Sequence, residues 1–477
     1  MTNLMAFRTN RRIFPLFLII CLCLGVASVG WADSASLSAL PGFSESYSRD
    51  PVFDCKTYIC QAGREHRRTL VLVHGVGDEA SLIWHDLIKL LAQRFHVVAF
   101  DLPGFGRSEQ TNTLYSPERY GEFLHWLIKG YSSEPVILLG HSLGGALVLR
   151  YAAIHPETVA HLILVDAAAI LHRIAISKNF IQFEEPEPRQ KGLIGLIQKP
   201  FEKPLHALNH LAGSTVENLE FAKSDQGIET IVGYEGLRKV VLGGNSQAIA
   251  SLALVQEDFT AHIASNRVPT SLIWGRDDEV APLRTGILLA GKLPLSRLRV
   301  IEQAGHVPMK DQPSEFKRIL LNEIDSPPSA NDQASSVSGP LQSGRCERQN
   351  DMVFSGRFDQ IVINGCRRVL IKNASAGFIG ITQSEVNLEN TEIRGGEIAL
   401  DLQRAKIIGT NVLIEGETAI RSSGSRLDLA GAELYGTKAA LATSDKTVAL
   451  FSVSSVDSPQ TKGNLHGVYR LAADKNL

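Results

Sequence analysis

The 477-residue sequence has almost no excess charge, with 48 Lys and Arg against 50 Asp and Glu and no basic stripe. Affinity for nucleic acid rests largely on Lys and Arg neutralising phosphates, so nucleic acid is not expected as a partner. Cysteine is scarce too: six residues in three close pairs, none with the CxxC…CxxC spacing of a zinc site, and no metal or organic cofactor is expected. What the chain does have is length and apolar content. At about one domain per 100–200 residues, 477 residues with 44% hydrophobic side chains predict two or three domains with ample core.

Residues 1–32 read as an export signal. Arg8, Arg11 and Arg12 precede an apolar run from Ile13 to Val29, and Gly30-Trp31-Ala32 offers small residues at −3 and −1 of a cut before Asp33. An uncleaved membrane anchor is the alternative, since the run is nearly long enough to span. Either way the folded part is expected to be periplasmic or secreted, where disulfides persist, with envelope or membrane association through the N-terminal segment or the C-terminal domain. Locality favours the pairs Cys55–Cys60 and Cys346–Cys366, free thiols being the alternative.

After an N-terminal extension over 33–68, short apolar runs alternate with longer amphipathic ones. Thr69–Val73, Val97–Phe100, Val136–Leu139, Leu162–Val165, Ser271–Trp274 and Leu298–Ile301 are unbroken runs suited to strands buried on both faces. Helices between them predict an α/β fold with a mostly parallel sheet over 69–325. The rhythm fails over about 168–267, a stretch far longer than a normal connection, which predicts a helical cap. Its apolar clusters, such as Phe180 with Ile181 and Leu193–Ile197, suit an acyl pocket or plain packing. Residues 326–343 read as a linker.

The tail over 344–477 repeats. Ile371-Lys-Asn373, Ile393-Arg-Gly395, Ile414-Glu-Gly416 and Leu434-Tyr-Gly436 recur at steps of 22, 21 and 20 residues. Such steps with strand alternation predict a smaller all-β, parallel β-solenoid-like domain, with Gly or Asn marking one left-handed corner. An antiparallel sandwich is the competing architecture.

Gly140-His-Ser142-Leu-Gly144 follows an apolar strand and precedes a plausible helix, which is the setting of a nucleophile on a sharp turn. Upstream, His74-Gly-Val-Gly77 ends a strand with small residues, so the N–H groups of Val76 and Leu143 can form an oxyanion hole. Such donors are each worth about 2.7–4 kcal/mol of transition-state stabilisation. His74 itself reads as a structural brace. Trp84 is a candidate pocket residue, with core packing as the alternative.

With Asp101-Leu-Pro-Gly-Phe-Gly-Arg-Ser108, Trp274-Gly-Arg-Asp-Asp-Glu-Val-Ala-Pro282 and Ala304-Gly-His306, residues 69–324 resemble the α/β-hydrolase fold, and the tail resembles right-handed parallel β-helix domains in rhythm only. The hydrolase resemblance implies Ser142 as nucleophile, His306 as base and Asp278 as the acid orienting it, in preference to adjacent Asp277 or to Asp166 after an earlier strand. It implies hydrolysis of a small-molecule or lipid-like acyl substrate, an ester, thioester or lactone, through an acyl-enzyme. Carbon–carbon bond hydrolases and cofactor-free haloperoxidases share these landmarks and remain open. So does a non-catalytic protein that binds envelope or glycan through its tail.

Overall fold

The computed structural model describes residue 40 and residues 42–77, 79–172, 225–329 and 337–477. The export segment, the start of the cap and most of the linker, including the Phe180–Ile181 and Leu193–Ile197 clusters, lie outside the described residues.

Eight strands form the first sheet: β1 (Ser44–Arg49), β2 (Lys56–Ala62), β3 (Thr69–Val73), β4 (His96–Phe100), β5 (Val136–His141), β6 (Val159–Val165), β7 (Thr270–Gly275) and β8 (Ser296–Ile301). Their order is β1-β2-β4-β3-β5-β6-β7-β8, parallel from β4 through β8 and antiparallel at β1 and β2. All six runs expected from the sequence are strands, fully buried in β3, β5 and β7 because helices cover both faces.

The helices are α1 (His85–Leu91), α2 (Pro117–Tyr131), α3 (Leu143–Ile154), α4 (Asp225–Gly233), α5 (Glu235–Leu242), α6 (Ser246–Leu254), α7 (Thr260–Ser265), α8 (Leu283–Lys292), α9 (Pro308–Asp311) and α10 (Pro313–Asp325). Ser116 caps α2 by accepting the Arg119 N–H, with Pro117 at the first helical position. The described part of the cap, α4 to α7, is helical.

The extension over 33–68 is not a mere lead-in, since β1 and β2 add an antiparallel edge to the sheet. This has a consequence for Cys55 and Cys60, which are free buried thiols and not a disulfide. Five residues apart along extended chain, they point to opposite faces: Cys55 packs with Phe53 and Tyr115, Cys60 with Leu87 and Phe95. Sequence proximity misled because a strand both separates such a pair and alternates its sides. Cys346 and Cys366, by contrast, are bonded.

The C-terminal domain is a second sheet of β9 (Leu341–Glu347), β10 (Val353–Asn364), β11 (Val369–Thr382), β12 (Glu385–Arg394), β13 (Ile398–Gln403), β14 (Lys406–Ser423), β15 (Arg426–Ala430), β16 (Glu433–Thr443), β17 (Thr447–Asp457) and β18 (Lys462–Leu471). All its strand pairings are parallel except that of β17 with β18. Ile393, Ile414 and Leu434 are paired in register, as the repeat predicts. Ile371 is out of phase, pairing with Leu388 while Ile393 pairs with Ala376, because the step from β11 to β12 is shorter than the later ones. The corner glycines also act differently from expectation. Gly395 and Gly416 do not have positive φ; a Cβ at Gly395 would stand 2.6 Å from the Ala399 backbone, so close approach excludes a side chain. Asn373 is left-handed as expected, with φ of 46°, but its companions at that corner are Asn390, Asn411 and Gly431, with φ of 46°, 51° and 66°. Asn390 Nδ2 donates to Asn373 Oδ1 at 3.3 Å and Asn411 Nδ2 to Asn390 Oδ1 at 3.1 Å.

That corner docks on the first domain. Asn411 Nδ2 also donates to the Ile287 carbonyl in α8 at 2.7 Å, and a Cβ on Gly431 would run into Leu288. Arg284 of α8 reaches Thr410 Oγ1 and the Gly409 carbonyl, each at 2.8 Å, and pairs with Asp428 at 3.0 Å, both side chains nearly enclosed. Ala430, Leu450 and Val453 join the apolar cluster of the first domain, and the His172 N–H donates to Ser452 Oγ at 2.9 Å. The tail therefore packs as part of one body with the first domain and buttresses the segment that leads from β6 into the cap.

Candidate active site

The turn after β5 carries Ser142 with φ 54° and ψ −120°. Three glycines make room for it. A Cβ on Gly75 would stand 2.7 Å from the Ser142 Cβ, one on Gly140 would stand 2.5 Å from the Gly144 carbonyl oxygen, and one on Gly144 would run into the Val73 and His74 carbonyls. The Ser142 N–H is tied to the Val165 carbonyl at 3.0 Å and its carbonyl accepts from Ala168 at 3.1 Å, which fixes the strained residue from both sides.

His306 follows β8, 164 residues on, and its Nε2 lies 2.8 Å from Ser142 Oγ. Its Nδ1 lies 2.9 Å from Asp278 Oδ2. A carboxylate can only accept, so Nδ1 carries the hydrogen and Nε2 is free to take the seryl proton. The Asp278 side chain is enclosed, and its Oδ1 accepts the Val280 and Ala281 N–H groups at 2.7 and 2.9 Å. Adjacent Asp277 is exposed and points elsewhere. The backbone N–H groups of Val76 and Leu143 flank the serine on the β3 and β5 sides and form no hydrogen bond among the described residues. Leu143 opens α3, where a helix leaves its first donors unused.

His74 is fully buried, donating from Nδ1 to the Gly75 carbonyl at 2.6 Å and accepting the Leu102 N–H at Nε2 at 2.9 Å. Burial lowers its pKa, so it stays neutral and holds the loop bearing Val76. Asp101 accepts the N–H groups of Ser81, in the turn that follows this loop, and of Arg107, at 2.9 and 2.8 Å. Trp84 does not open on a pocket. Its ring is wholly enclosed in the core, edge-on to His141 at 6.3 Å, because the 3₁₀ turn Ala80–Trp84 directs it under the sheet.

His141, inside the Gly140–Gly144 motif, was not among the residues singled out from the sequence. Its Nε2–H donates to the His306 main-chain carbonyl at 2.7 Å, and burial, then the neighbouring His306, push its pKa down to about 3. It is a neutral donor that ties the loop of His306 to the turn of Ser142. Among the described residues no three His, Cys, Asp or Glu side chains converge as metal ligands.

A model of the alpha/beta hydrolase family matches residues 70–319, more than half of the chain. The chain belongs to that family. An uncharacterized protein of Mycobacterium tuberculosis is 27% identical over 56% of this hydrolase and 78% of that protein. The pimeloyl-[acyl-carrier protein] methyl ester esterase of Aeromonas hydrophila is 29% identical over 53% of this chain and 93% of its own length. The 2-hydroxy-6-oxo-6-(2'-aminophenyl)hexa-2,4-dienoic acid hydrolase of Metapseudomonas resinovorans is 24% identical over 56% and 87%.

Proposed function

We propose that this hydrolase is an exported serine hydrolase that cleaves a carboxylic ester, thioester or lactone through an acyl-enzyme on Ser142. The observation that carries the reading is the connected pair of contacts, Ser142 Oγ to His306 Nε2 at 2.8 Å and His306 Nδ1 to Asp278 Oδ2 at 2.9 Å. His306 takes the Ser142 proton as Oγ attacks the acyl carbon, and Asp278 fixes the tautomer and balances the imidazolium. The N–H groups of Val76 and Leu143 meet the oxyanion. The imidazolium then gives its proton to the leaving alkoxide or thiolate, and the same histidine activates water to release the acid. The substrate is a small or lipid-like acyl compound. Export is supported by the charged-then-apolar segment up to Val29 and by the Cys346–Cys366 disulfide.

The same three groups serve carbon–carbon bond hydrolysis, and one relative is named for it. A panel of p-nitrophenyl esters, acyl thioesters, lactones and a vinylogous 1,5-diketone, run on the full mature chain and on Ser142→Ala, separates the readings. Ester turnover lost in Ser142→Ala is expected. Turnover confined to the diketone would assign carbon–carbon cleavage, and inert wild-type protein that binds envelope polysaccharide would assign a binding role.

A further inference from the structure

Asp166 directly follows β6 with φ 44°, and its side chain is completely enclosed. Its Oδ1 accepts the Gly275 N–H at 2.9 Å, while its Oδ2 meets no donor among the described residues. The Asp278 carboxyl lies within hydrogen-bonding reach of the same carboxyl. Two ionised carboxylates enclosed side by side, with one Asp166 oxygen meeting no donor, repel without compensation, so one of them holds a proton. Asp278 already accepts three N–H donors, from Val280, Ala281 and His306, whereas Asp166 accepts one. The better-solvated anion is therefore Asp278, and the proton resides on Asp166.

We propose that Asp166 is a positioning residue, a neutral carboxylic acid whose O–H donates to Asp278 and holds that carboxylate in line with His306. The inference rests on Ser142, His306 and Asp278 working as proposed above. The charged groups acting on Asp166 agree with its neutrality: burial acts most strongly, then the Asp278 and Asp311 carboxylates, and all three raise its pKa well above the ordinary range, opposed only by the Gly275 N–H. His306 is one step removed, on the far side of Asp278.

As a fourth donor the acid keeps the Asp278 oxygens fixed in line with His306 Nδ1. Loss of the proton at alkaline pH would remove the donor and leave two buried anions in contact.

The test uses the full chain with Asp166→Asn, which keeps one acceptor and one donor but has no proton to lose, and Asp166→Ala, which lacks both. Wild type should lose kcat/KM at alkaline pH; Asp166→Asn should retain it within about threefold at neutral pH and show no such fall, whereas Asp166→Ala should lose about tenfold to a hundredfold, as expected for a hydrogen bond to a charged group. A second readout needs no activity: the Tm of Asp166→Asn relative to wild type should rise steadily from about pH 5 to 8, because only wild type must hold a proton against rising pH. An Asp166→Asn variant as impaired as Asp166→Ala at neutral pH, or a Tm difference flat with pH, would show an ionised Asp166 and overturn the proposal. If Ser142→Ala remained active the triad reading would fall instead, while the Tm series would still decide where the proton lies.

Discussion

His141 Nε2 donates to the main-chain carbonyl of His306 at 2.7 Å, so the residue before Ser142 holds the loop that carries His306. The bond spans 165 residues of sequence and joins the ends of β5 and β8. Its loss is expected to loosen the His306–Ser142 contact without touching either side chain. His141→Ala should lower kcat about tenfold to a hundredfold with a native circular dichroism spectrum, since a displacement near 1 Å at a reacting pair costs about that much. His141→Gln, which can still reach with an N–H, should recover part of the rate in steady-state assays.

Gly75→Ala would set a methyl 2.7 Å from the Ser142 Cβ. The nucleophile must then shift, and kcat for ester turnover should fall at least about a hundredfold. Labelling by a fluorophosphonate should slow in parallel. Unchanged labelling would mean that the loop bearing Val76 yields, and that Gly75 does not set the nucleophile's position.

Acid should unfold the protein early. Burial pushes His141 to about 3 and His161 to about 4, both below the ordinary value near ~6.5. Between those values the unfolded chain binds protons that the folded chain refuses, so stability is lost as pH falls from about 6.5 toward 4 and then 3. Each group contributes a slope of up to about 1.4 kcal/mol per pH unit. Urea midpoints across this range should fall accordingly, and less steeply in His161→Gln.

Arg284→Leu would leave Asp428 buried without its partner at the junction of the two domains. Removing one member of a buried pair destabilises by about 3–5 kcal/mol. Melting of both domains should shift down together, because α8 belongs to the first and packs on β14 and β15 of the second. The double change Arg284→Leu with Asp428→Leu should restore most of the loss. Independent melting of the tail in the single variant would show that the junction is not cooperative.

Alkylation of the unfolded chain without reductant should label Cys55 and Cys60 and leave Cys346 and Cys366 unlabelled in peptide mass maps. Cys346→Ser with Cys366→Ser should destabilise the tail by about 3 kcal/mol, the loop-closure entropy of a link across some twenty residues.

The sequence was most legible where chemistry needs a local pattern. Six strands, the elbow around Ser142 and the cap's helical character in α4 to α7 were readable because burial on both faces and a strained turn each demand particular side chains at fixed spacing. The edge strands β1 and β2 were not, since Ser44–Arg49 is polar and exposed and carries no apolar run. The Cys55–Cys60 pairing failed for a related reason: without β2 in view, nothing indicated that five residues would span opposite faces of a sheet. In the tail, the twenty-residue step was visible, but the phase of its first coil and the asparagine corner depended on which strands pair.

By itself the sequence determined the parallel sheet, the placement of a serine between glycines, and the order in which Ser142, Asp278 and His306 follow one another, because each is written in neighbours within a few residues. The tertiary structure alone decided that Asp166 and His141 reach Asp278 and His306, that Trp84 lies in the core, and that Arg284 of the first domain meets Asp428 of the second. Those relationships join residues far apart in the chain, and only the packing of one strand end or helix face against another sets their distance.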